Sequence, residues 1–187
     1  GGIEAKAETK TINISITKVD DAGKEIQDCL DEAKEDPSGN TQYVFNFPQG
    51  EYILNDTVLK VYSYSTLNMT GCTLKRIGTD KKWKSMLRIG KATGNPETGD
   101  ENDPGAYGYN GYHDITIIGG VFDGNGTVAA ASNADSPSML RFGHGSNLTF
   151  EGVTFKNPYD NHQMEFAACR GITIKNCVFD GFTPKSG

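Results

Sequence analysis

Four charged residues occupy the same kind of place in the sequence, each between two apolar neighbours. They are Lys60, Arg88, Arg141 and Glu165. If each short run is a strand, the apolar neighbours face inward and the charged side chain faces outward, because side chains alternate along a strand. Three cations in a line suit an anionic polymer, since the planar guanidinium of arginine can bind a carboxylate through two hydrogen bonds. The pattern therefore predicts a groove for an acidic polysaccharide.

Catalysis in such a groove would depend on Glu165. His162 lies just before it at the entry to the same run, so the two supply a carboxylate and a proton carrier. Hydrolysis of a glycosidic bond needs two carboxylates, and Asp123 and Asp160 are the candidates for the second. The alternative is a solvated ladder in which Arg141 and Glu165 pair across neighbouring strands, an interaction that contributes about 0.2–1 kcal/mol.

Two further groups of residues carry weaker signals. Aromatic faces can stack on sugar rings or pack an insertion onto the body of the protein, and the tyrosines concerned are Tyr107, Tyr109 and Tyr112. Oxygen ligands bind Ca²⁺, and an oxygen-rich group is formed by Glu97, Asp100, Glu101, Asn102 and Asp103. The spacing of that group matches no fixed calcium loop, so a solvated acidic insertion is the alternative and no metal site is assigned. Tyr109 and Tyr112 join Lys60, Arg88 and Arg141 as candidate substrate-binding residues.

The elements that position these residues change character along the chain. Residues 20–36 predict an amphipathic helix, because Ile26, Leu30 and Ala33 recur at helical spacing and Pro37 follows. After this helix the period changes to two, which is typical of strands.

A repeat organises the strands. Residues 67–74, 115–122, 148–155 and 172–179 align position by position, with Leu67 matched to Ile115 in the first column. Apolar and polar residues alternate within each segment, which predicts inward and outward faces. The fifth column holds Gly71, Gly119, Gly152 and Asn176. Since glycine and asparagine tolerate a left-handed backbone, we expect a one-residue corner there.

A third strand, which carries the charged residue, precedes each repeat by eight residues where no insertion intervenes. Three short strands per turn and a spacing of 24 residues between Leu148 and Ile172 predict a solenoid. We therefore expect an all-β solenoid: a right-handed parallel β-helix of about four coils, whose first coil is plugged by the helix at 20–36. The predicted β-helix domain spans 20–182 and contains insertions at 91–113 and 124–137. A segment with a first strand precedes it at 1–19, and a tail follows at 183–187. No cap is predicted after Phe179, which favours end-to-end association or a longer chain.

Three stretches carry a family resemblance: residues 28–33, 44–52 and 115–126. They resemble the N-terminal portion of the pectin-lyase-like right-handed β-helix superfamily, which includes polygalacturonases and pectate lyases. The resemblance covers about residues 20–182 and is specific for the fold rather than the activity. Of the polygalacturonase signature only Gly143-His144-Gly145 is present, and we interpret it as a tight corner. In a lyase of this superfamily an arginine acts as base with Ca²⁺, which would give that role to Arg141.

Composition excludes several other classes of function. The chain has 187 residues with 18 basic and 24 acidic side chains, a net charge of −6. This balance argues against nucleic-acid binding, which needs cations to displace counterions. The sequence contains no run of about 18 apolar residues, so it predicts no membrane-spanning helix. The four cysteines show no zinc-like spacing, and a secreted or cell-surface location is preferred.

Three functions are compatible with these features. The first is part of a carbohydrate-active enzyme, a glycoside hydrolase or polysaccharide lyase, whose catalytic residues either include Glu165, His162 and Arg141 or lie outside this chain. The second is a non-catalytic glycan-binding or adhesive module of a cell-surface or phage protein. The third is a structural spacer without glycan affinity.

Overall fold

The computed structural model describes residues 6–89 and 108–185, and these form two helices and fifteen strands. The helices are α1 (Gly23–Lys34) and α2 (Gly126–Ala131). The strands are β1 (Glu8–Asn13), β2 (Thr41–Asn46), β3 (Gly50–Asn55), β4 (Leu59–Lys60), β5 (Ser65–Asn68), β6 (Cys72–Arg76), β7 (Leu87–Ile89), β8 (His113–Ile118), β9 (Val121–Asp123), β10 (Leu140–Gly143), β11 (Ser146–Glu151), β12 (Thr154–Lys156), β13 (Met164–Ala167), β14 (Arg170–Lys175) and β15 (Val178–Asp180).

The strands form three parallel sheets that the chain visits in turn. Sheet 1 has the order β1-β2-β5-β8-β11-β14, sheet 2 the order β3-β6-β9-β12-β15, and sheet 3 the order β4-β7-β10-β13. From β2 to β13 the chain completes four three-strand coils, and β14 and β15 begin another. The predicted all-β solenoid, a parallel β-helix of about four coils with an N-terminal helix, is confirmed.

Helix α1 covers the first coil as its sequence pattern predicts. Ile26, Leu30 and Ala33 are buried and belong to the same apolar core as the strands. Gly23 begins the helix against Thr57, where a Cβ would come within 2.3 Å of the threonine Cβ. The helix thereby hides the inner face of β2–β4, which would otherwise be exposed at the end of the solenoid.

One carboxylate fastens the segment before α1 to the helix. Both oxygens of Glu25 accept hydrogen bonds from the backbone N–H of Thr17, and Oε1 accepts another from the N–H of Lys18 at 2.8 Å. These donors, Thr17 first, hold the pKa of the Glu25 carboxyl below its ordinary value. A carboxyl with a lowered folded-state pKa adds stability above its unfolded-state pKa and loses it as the pH falls through the folded value.

We therefore expect Glu25→Gln to lower the melting temperature at pH 7 and to lower it less at pH 3, because pH 3 lies below the unfolded-state pKa of the carboxyl and part of its contribution is lost there. Thermal unfolding at both pH values checks this. Asp28→Asn is the control, because Asp28 makes only a surface ion pair with Lys24 on the same helix. An equal loss at both pH values would contradict the role given to the ionised Glu25.

Stacked aromatic rings fill the later coils. Phe122, Phe155 and Phe179 follow one another on sheet 2, with ring centres 5.8 and 5.3 Å apart and nearly parallel planes. On sheet 3, Phe142 and Phe166 stack at 5.2 Å. Since equivalent positions of successive coils are neighbours in a parallel solenoid, these phenylalanines form a continuous ladder along its axis.

The corners between sheets 1 and 2 are left-handed at the predicted positions. The φ angles are +80° at Gly71, +65° at Gly119, +65° at Gly152 and +53° at Asn176. The predicted one-residue length is wrong, because β8 and β9 are separated by two residues, Gly119 and Gly120.

The predicted match of Leu67 with Ile115 is also wrong. Leu67 pairs with Ile117, whereas Ile115 pairs with Ser65. The corner after β5 contains three residues, and Leu74 still pairs with Phe122 on sheet 2. A shift of two residues keeps every side chain on its own face, which is why alternation alone could not distinguish the two registers.

A buried arginine joins the insertion at 124–137 to the body of the solenoid. Arg76 is 1% exposed and donates to the backbone carbonyls of Gly124, Lys84 and Pro137 at 3.2–3.3 Å. Burial lowers the pKa of its guanidinium to about 10, so the side chain stays charged at neutral pH. These bonds fix the corner that leads from sheet 2 into sheet 3.

Candidate functional site

The charged column predicted from the sequence, Lys60-Arg88-Arg141-Glu165, lies on sheet 3. Lys60 pairs with Arg88 across β4 and β7, and Arg88 pairs with Arg141 across β7 and β10. Arg141 pairs with Glu165 across β10 and β13. Neighbouring members are therefore about 4.8 Å apart along the axis. This alignment is confirmed, whereas the roles of its members in binding and catalysis stay predictions.

The strands hold the column outward by burying its neighbours. The flanking side chains of the first three members are at most 2% exposed: Leu59, Val61, Leu87, Ile89, Leu140 and Phe142. Met164 and Phe166, which flank Glu165, are only partly buried in the last strand of the sheet. The column thus rests on a rigid apolar floor along most of its length.

Glu165 is held by two neighbours from the preceding coil. Its Oε2 accepts a hydrogen bond from Ser138 Oγ at 2.9 Å and lies 4.0 Å from Arg141 Nε. The Glu165 side chain is 40% exposed, so the ion pair is of the weak surface kind. This arrangement has the geometry of the cross-strand ladder that was the alternative to a catalytic role.

The two aspartates predicted as the second carboxylate beside Glu165 make other contacts. Asp123 is on sheet 2, where its Oδ1 accepts from the N–H of Asn125 and from Asn157 Nδ2. Asp160 is exposed and its Oδ1 accepts the N–H of Lys185 at 3.4 Å. Neither aspartate contacts Glu165 within the part of the chain that the structure describes.

His162 is also separate from Glu165. The ring is exposed, and the residue is held by its backbone, whose N–H donates to Asn161 Oδ1 at 2.9 Å and whose carbonyl accepts the N–H of Met139 at 3.0 Å. No hydrogen bond joins the His162 ring to Glu165 in residues 6–89 and 108–185. Proton transfer between them would need a rearrangement or an intervening water.

Arg88 differs from Arg141 in having no carboxylate beside it on sheet 3. Burial, and then the charge of Arg141, lower the pKa of the Arg88 guanidinium. Among the described residues, its Nε is buried without a hydrogen-bond partner, and the same holds for Ser85 Oγ at the entry to the same strand. The centre of the column therefore places two guanidinium groups, those of Arg88 and Arg141, on neighbouring strands.

A shallow cleft continues the column at the N-terminal end. It has a volume of about 260 Å³ and is lined by Gln27, Asp31, Lys34, Val58, Lys60 and Tyr62. Gln27 bridges α1 to β4, since its Nε2 donates to the Lys60 carbonyl and its Oε1 accepts the Lys60 N–H. The cleft adds Lys34 to the cations available beside Lys60.

The two described tyrosines of the candidate site have different environments. Tyr109 is 50% exposed and lies against the guanidinium of Arg170, with 4.6 Å from Cζ to the ring centre. Tyr112 packs edge-on against Tyr62 at 5.1 Å and belongs to the margin of the core. Tyr112 therefore packs the insertion onto the body of the protein, whereas the ring of Tyr109 lies at the surface.

The Gly143-His144-Gly145 corner has the tight geometry predicted for it. His144 has a φ of +57°, is 5% exposed, and its Nδ1 lies 2.7 Å from the carbonyl oxygen of Gly108. Tyr107 and the acidic group of Glu97, Asp100, Glu101, Asn102 and Asp103 lie outside the described residues. Among the residues that are described, no three metal-ligating side chains cluster as a metal site would require.

Ser85 and Ser138 are the polar residues that sequence reasoning missed. Each begins a run of the same four residues, Ser-Met-Leu-Arg, at 85–88 and 138–141. This near duplication was the available signal, but it indicated only a strand. It did not reveal that Ser138 donates to Glu165 or that Ser85 has no equivalent acceptor.

The cysteines are free thiols. Cys72 is buried, and burial raises the pKa of its thiol to about 12. This agrees with a small apolar residue in the core rather than a reactive group. Neither of the described helices has the length and apolar character needed to cross a bilayer.

Comparison with known proteins shows similarity to a streptococcal surface protein in both sequence and structure. No family model matches the chain. The plasmin and fibronectin-binding protein A of Streptococcus pneumoniae is 26% identical over 171 residues, which are 87% of this chain and 22% of the relative. The crystal structure of PfbA, a surface adhesin of Streptococcus pneumoniae, superposes with a TM-score of 0.69 at 23% identity, covering 92% of this chain and 39% of that one. The chain is thus similar in fold to a surface adhesin, and it spans about a fifth of the curated relative it matches.

Proposed function

We propose that this chain is a segment of a cell-surface adhesin that binds an extracellular protein without chemically altering it. The observation that carries the proposal is the similarity, over 87% of the chain, to a plasmin and fibronectin-binding protein. The cell-surface location is proposed on the same ground. The pectin-lyase-like resemblance is kept only as a proposed distant relationship, supported by the parallel coils.

The geometry around Glu165 supports a binding role over a catalytic one. A hydrolase needs a second carboxylate near the first, yet Asp123 and Asp160 are engaged elsewhere. Glu165 itself accepts from Ser138 and pairs with Arg141, which restrains its position. The carbohydrate-active reading that placed catalysis on Glu165, His162 and Arg141 is therefore the less favoured one.

Immobilised fibronectin and active-site-blocked plasmin test the proposal directly, with serum albumin as the negative control. We expect saturable binding to at least one of the two proteins. Absence of binding to both would contradict the proposal for this segment.

A catalytic assay tests the other half of the proposal. We expect neither the wild-type chain nor Glu165→Gln to release products from polygalacturonate or from neutral polysaccharides, in the presence or absence of Ca²⁺. Reducing-end formation reports hydrolysis, and absorbance of the unsaturated product reports β-elimination. Turnover by the wild type that Glu165→Gln abolishes would establish an enzyme and overturn the non-catalytic assignment.

Binding of an acidic polysaccharide is a second candidate, favoured by the three consecutive cations Lys60, Arg88 and Arg141 on sheet 3. A glycan array with acidic and neutral polysaccharides, repeated at high salt and with EDTA, tests it. The candidate predicts salt-sensitive binding to uronates that Arg141→Ala removes. Silence across the array would exclude it for this segment.

A further inference from the structure

Two successive coils carry the same strand entry on sheet 3. Leu87 pairs with Leu140 and Arg88 with Arg141, and the N–H of Met86 donates to the carbonyl of Met139 at 2.7 Å. Ser85 and Ser138 are therefore equivalent positions of the repeat. One difference between their surroundings is the strand of sheet 3 that follows each of them: β10 after Ser85 and β13 after Ser138.

In the later coil a carboxylate completes this arrangement. Ser138 Oγ donates to Glu165 Oε2 at 2.9 Å, and Arg141 Nε lies 4.0 Å from the same oxygen. Glu165 pairs in register with Arg141 from the next strand of the sheet. Serine, arginine and the carboxylate of the following coil thus form one unit.

In the earlier coil the described strands place an arginine, not a carboxylate, opposite Arg88. Arg141 occupies the position opposite Arg88 that Glu165 occupies opposite Arg141. Ser85 Oγ and Arg88 Nε are both buried, and both lack a hydrogen-bond partner in the described part of the chain. A buried donor without an acceptor costs the free energy of its desolvation, and the neighbouring like charge adds to the cost.

We propose that a carboxylate of the bound partner enters beside Arg141 and accepts hydrogen bonds from the unpartnered Ser85 Oγ and Arg88 Nε, as Glu165 accepts from Ser138. The site is called the Ser85–Arg88 site below. The inference deepens the proposed function and rests on it for the class of partner, an acidic segment of an extracellular protein. Lys60 lies about 4.8 Å further along the axis, so a second acidic side chain of such a segment has a cation to pair with.

Titration with a fluorescein-labelled, N-acetylated hexaglutamate peptide tests the site, and hexaglutamine is the uncharged control. We expect Ser85→Ala and Arg88→Lys each to weaken hexaglutamate binding about 10–100-fold, the effect of one hydrogen bond to a charged group. Arg88→Lys keeps the charge but removes the Nε donor, so it separates hydrogen bonding from general attraction.

The repeat supplies a matched control and a blocking variant. Ser138→Ala removes the equivalent hydroxyl in the coil that already has its carboxylate, and should leave the dissociation constant within twofold. Arg141→Glu supplies a carboxylate opposite Arg88, where it replaces the carboxylate of the partner, and should abolish peptide binding. Circular dichroism and thermal unfolding verify that each variant is folded.

The outcomes separate this inference from the proposed function. Equal effects of Ser85→Ala and Ser138→Ala, or an unchanged affinity in Arg88→Lys, would overturn the site. Binding to fibronectin or plasmin that hexaglutamate does not compete for would also overturn it, while the adhesive function stands. Hexaglutamate binding without any protein binding would support the site and remove the proposed function. If the chain binds neither protein and polygalacturonate displaces hexaglutamate, the partner would be an acidic polysaccharide. That result would overturn the proposal that the partner is an acidic protein segment.

Discussion

Replacing Phe155 with alanine should lower the free energy of unfolding by about 3–5 kcal/mol, the usual loss for a fully buried phenylalanine. The ring is completely buried and stacks between Phe122 and Phe179. It also meets the edge of Phe150 at 6.3 Å. Truncation therefore opens a cavity in the middle of the ladder, where rigid neighbouring coils limit collapse. Denaturation by urea, followed by circular dichroism, measures the loss.

Phe179→Ala is the matched control, because Phe179 occupies the next position of the same ladder and is 48% exposed. Half of its surface is already in water, so we expect a loss of about 1–2 kcal/mol. Similar losses at both positions would show that the last coil is covered in solution, and would contradict the exposed position of Phe179.

Gly120→Ala should destabilise the protein by about 2–5 kcal/mol, combining left-handed strain with overpacking. Gly120 has a φ of +80°, and an added Cβ would lie 2.6 Å from both the Cβ and the carbonyl oxygen of Met69. Backbone atoms of an adjacent coil cannot yield as a flexible side chain can. The same denaturation experiment reports the change.

Gly152→Ala separates the two contributions. Gly152 has a φ of +65°, but a Cβ there would meet nothing within 4 Å. Only the conformational strain applies, so we expect a loss of about 1–2 kcal/mol. If Gly152→Ala cost as much as Gly120→Ala, the close approach of Gly120 to Met69 would be of no consequence.

The fold was predictable because several independent signals in the sequence repeat all indicate it. Alternating apolar residues, the left-handed corners at Gly71, Gly119, Gly152 and Asn176, and the helical spacing of Ile26 and Leu30 are local signals, and all agree with one solenoid. The register of Leu67 was not predictable, since pairing with Ile115 or Ile117 buries the same face.

The candidate site was predictable only as an alignment. Sequence spacing placed Arg88, Arg141 and Glu165 in one column, because that follows from the backbone alone. The contact of Ser138 with Glu165 depends on side-chain conformations across 27 residues of sequence, which periodicity does not specify. Nor could composition show that Asp123 is committed to Asn125 and Asn157 on another sheet.

The outer face of these coils is physically suited to the proposed binding role. The parallel coils supply a rigid outer face, and what that face does depends on the few side chains that project from it. Here the column offers cations and one restrained carboxylate rather than a pair of carboxylates. Such a surface can attract and orient an acidic ligand.

The most direct test is an equilibrium binding isotherm of the 187-residue chain on immobilised fibronectin and on active-site-blocked plasmin, with mass analysis of the ligand afterwards. We expect reversible, saturable binding to at least one of them, weakened by Arg88→Lys, with the mass of the recovered ligand unchanged. Failure to bind either protein, together with product release from a polysaccharide, would contradict the account and establish the chain as part of an enzyme.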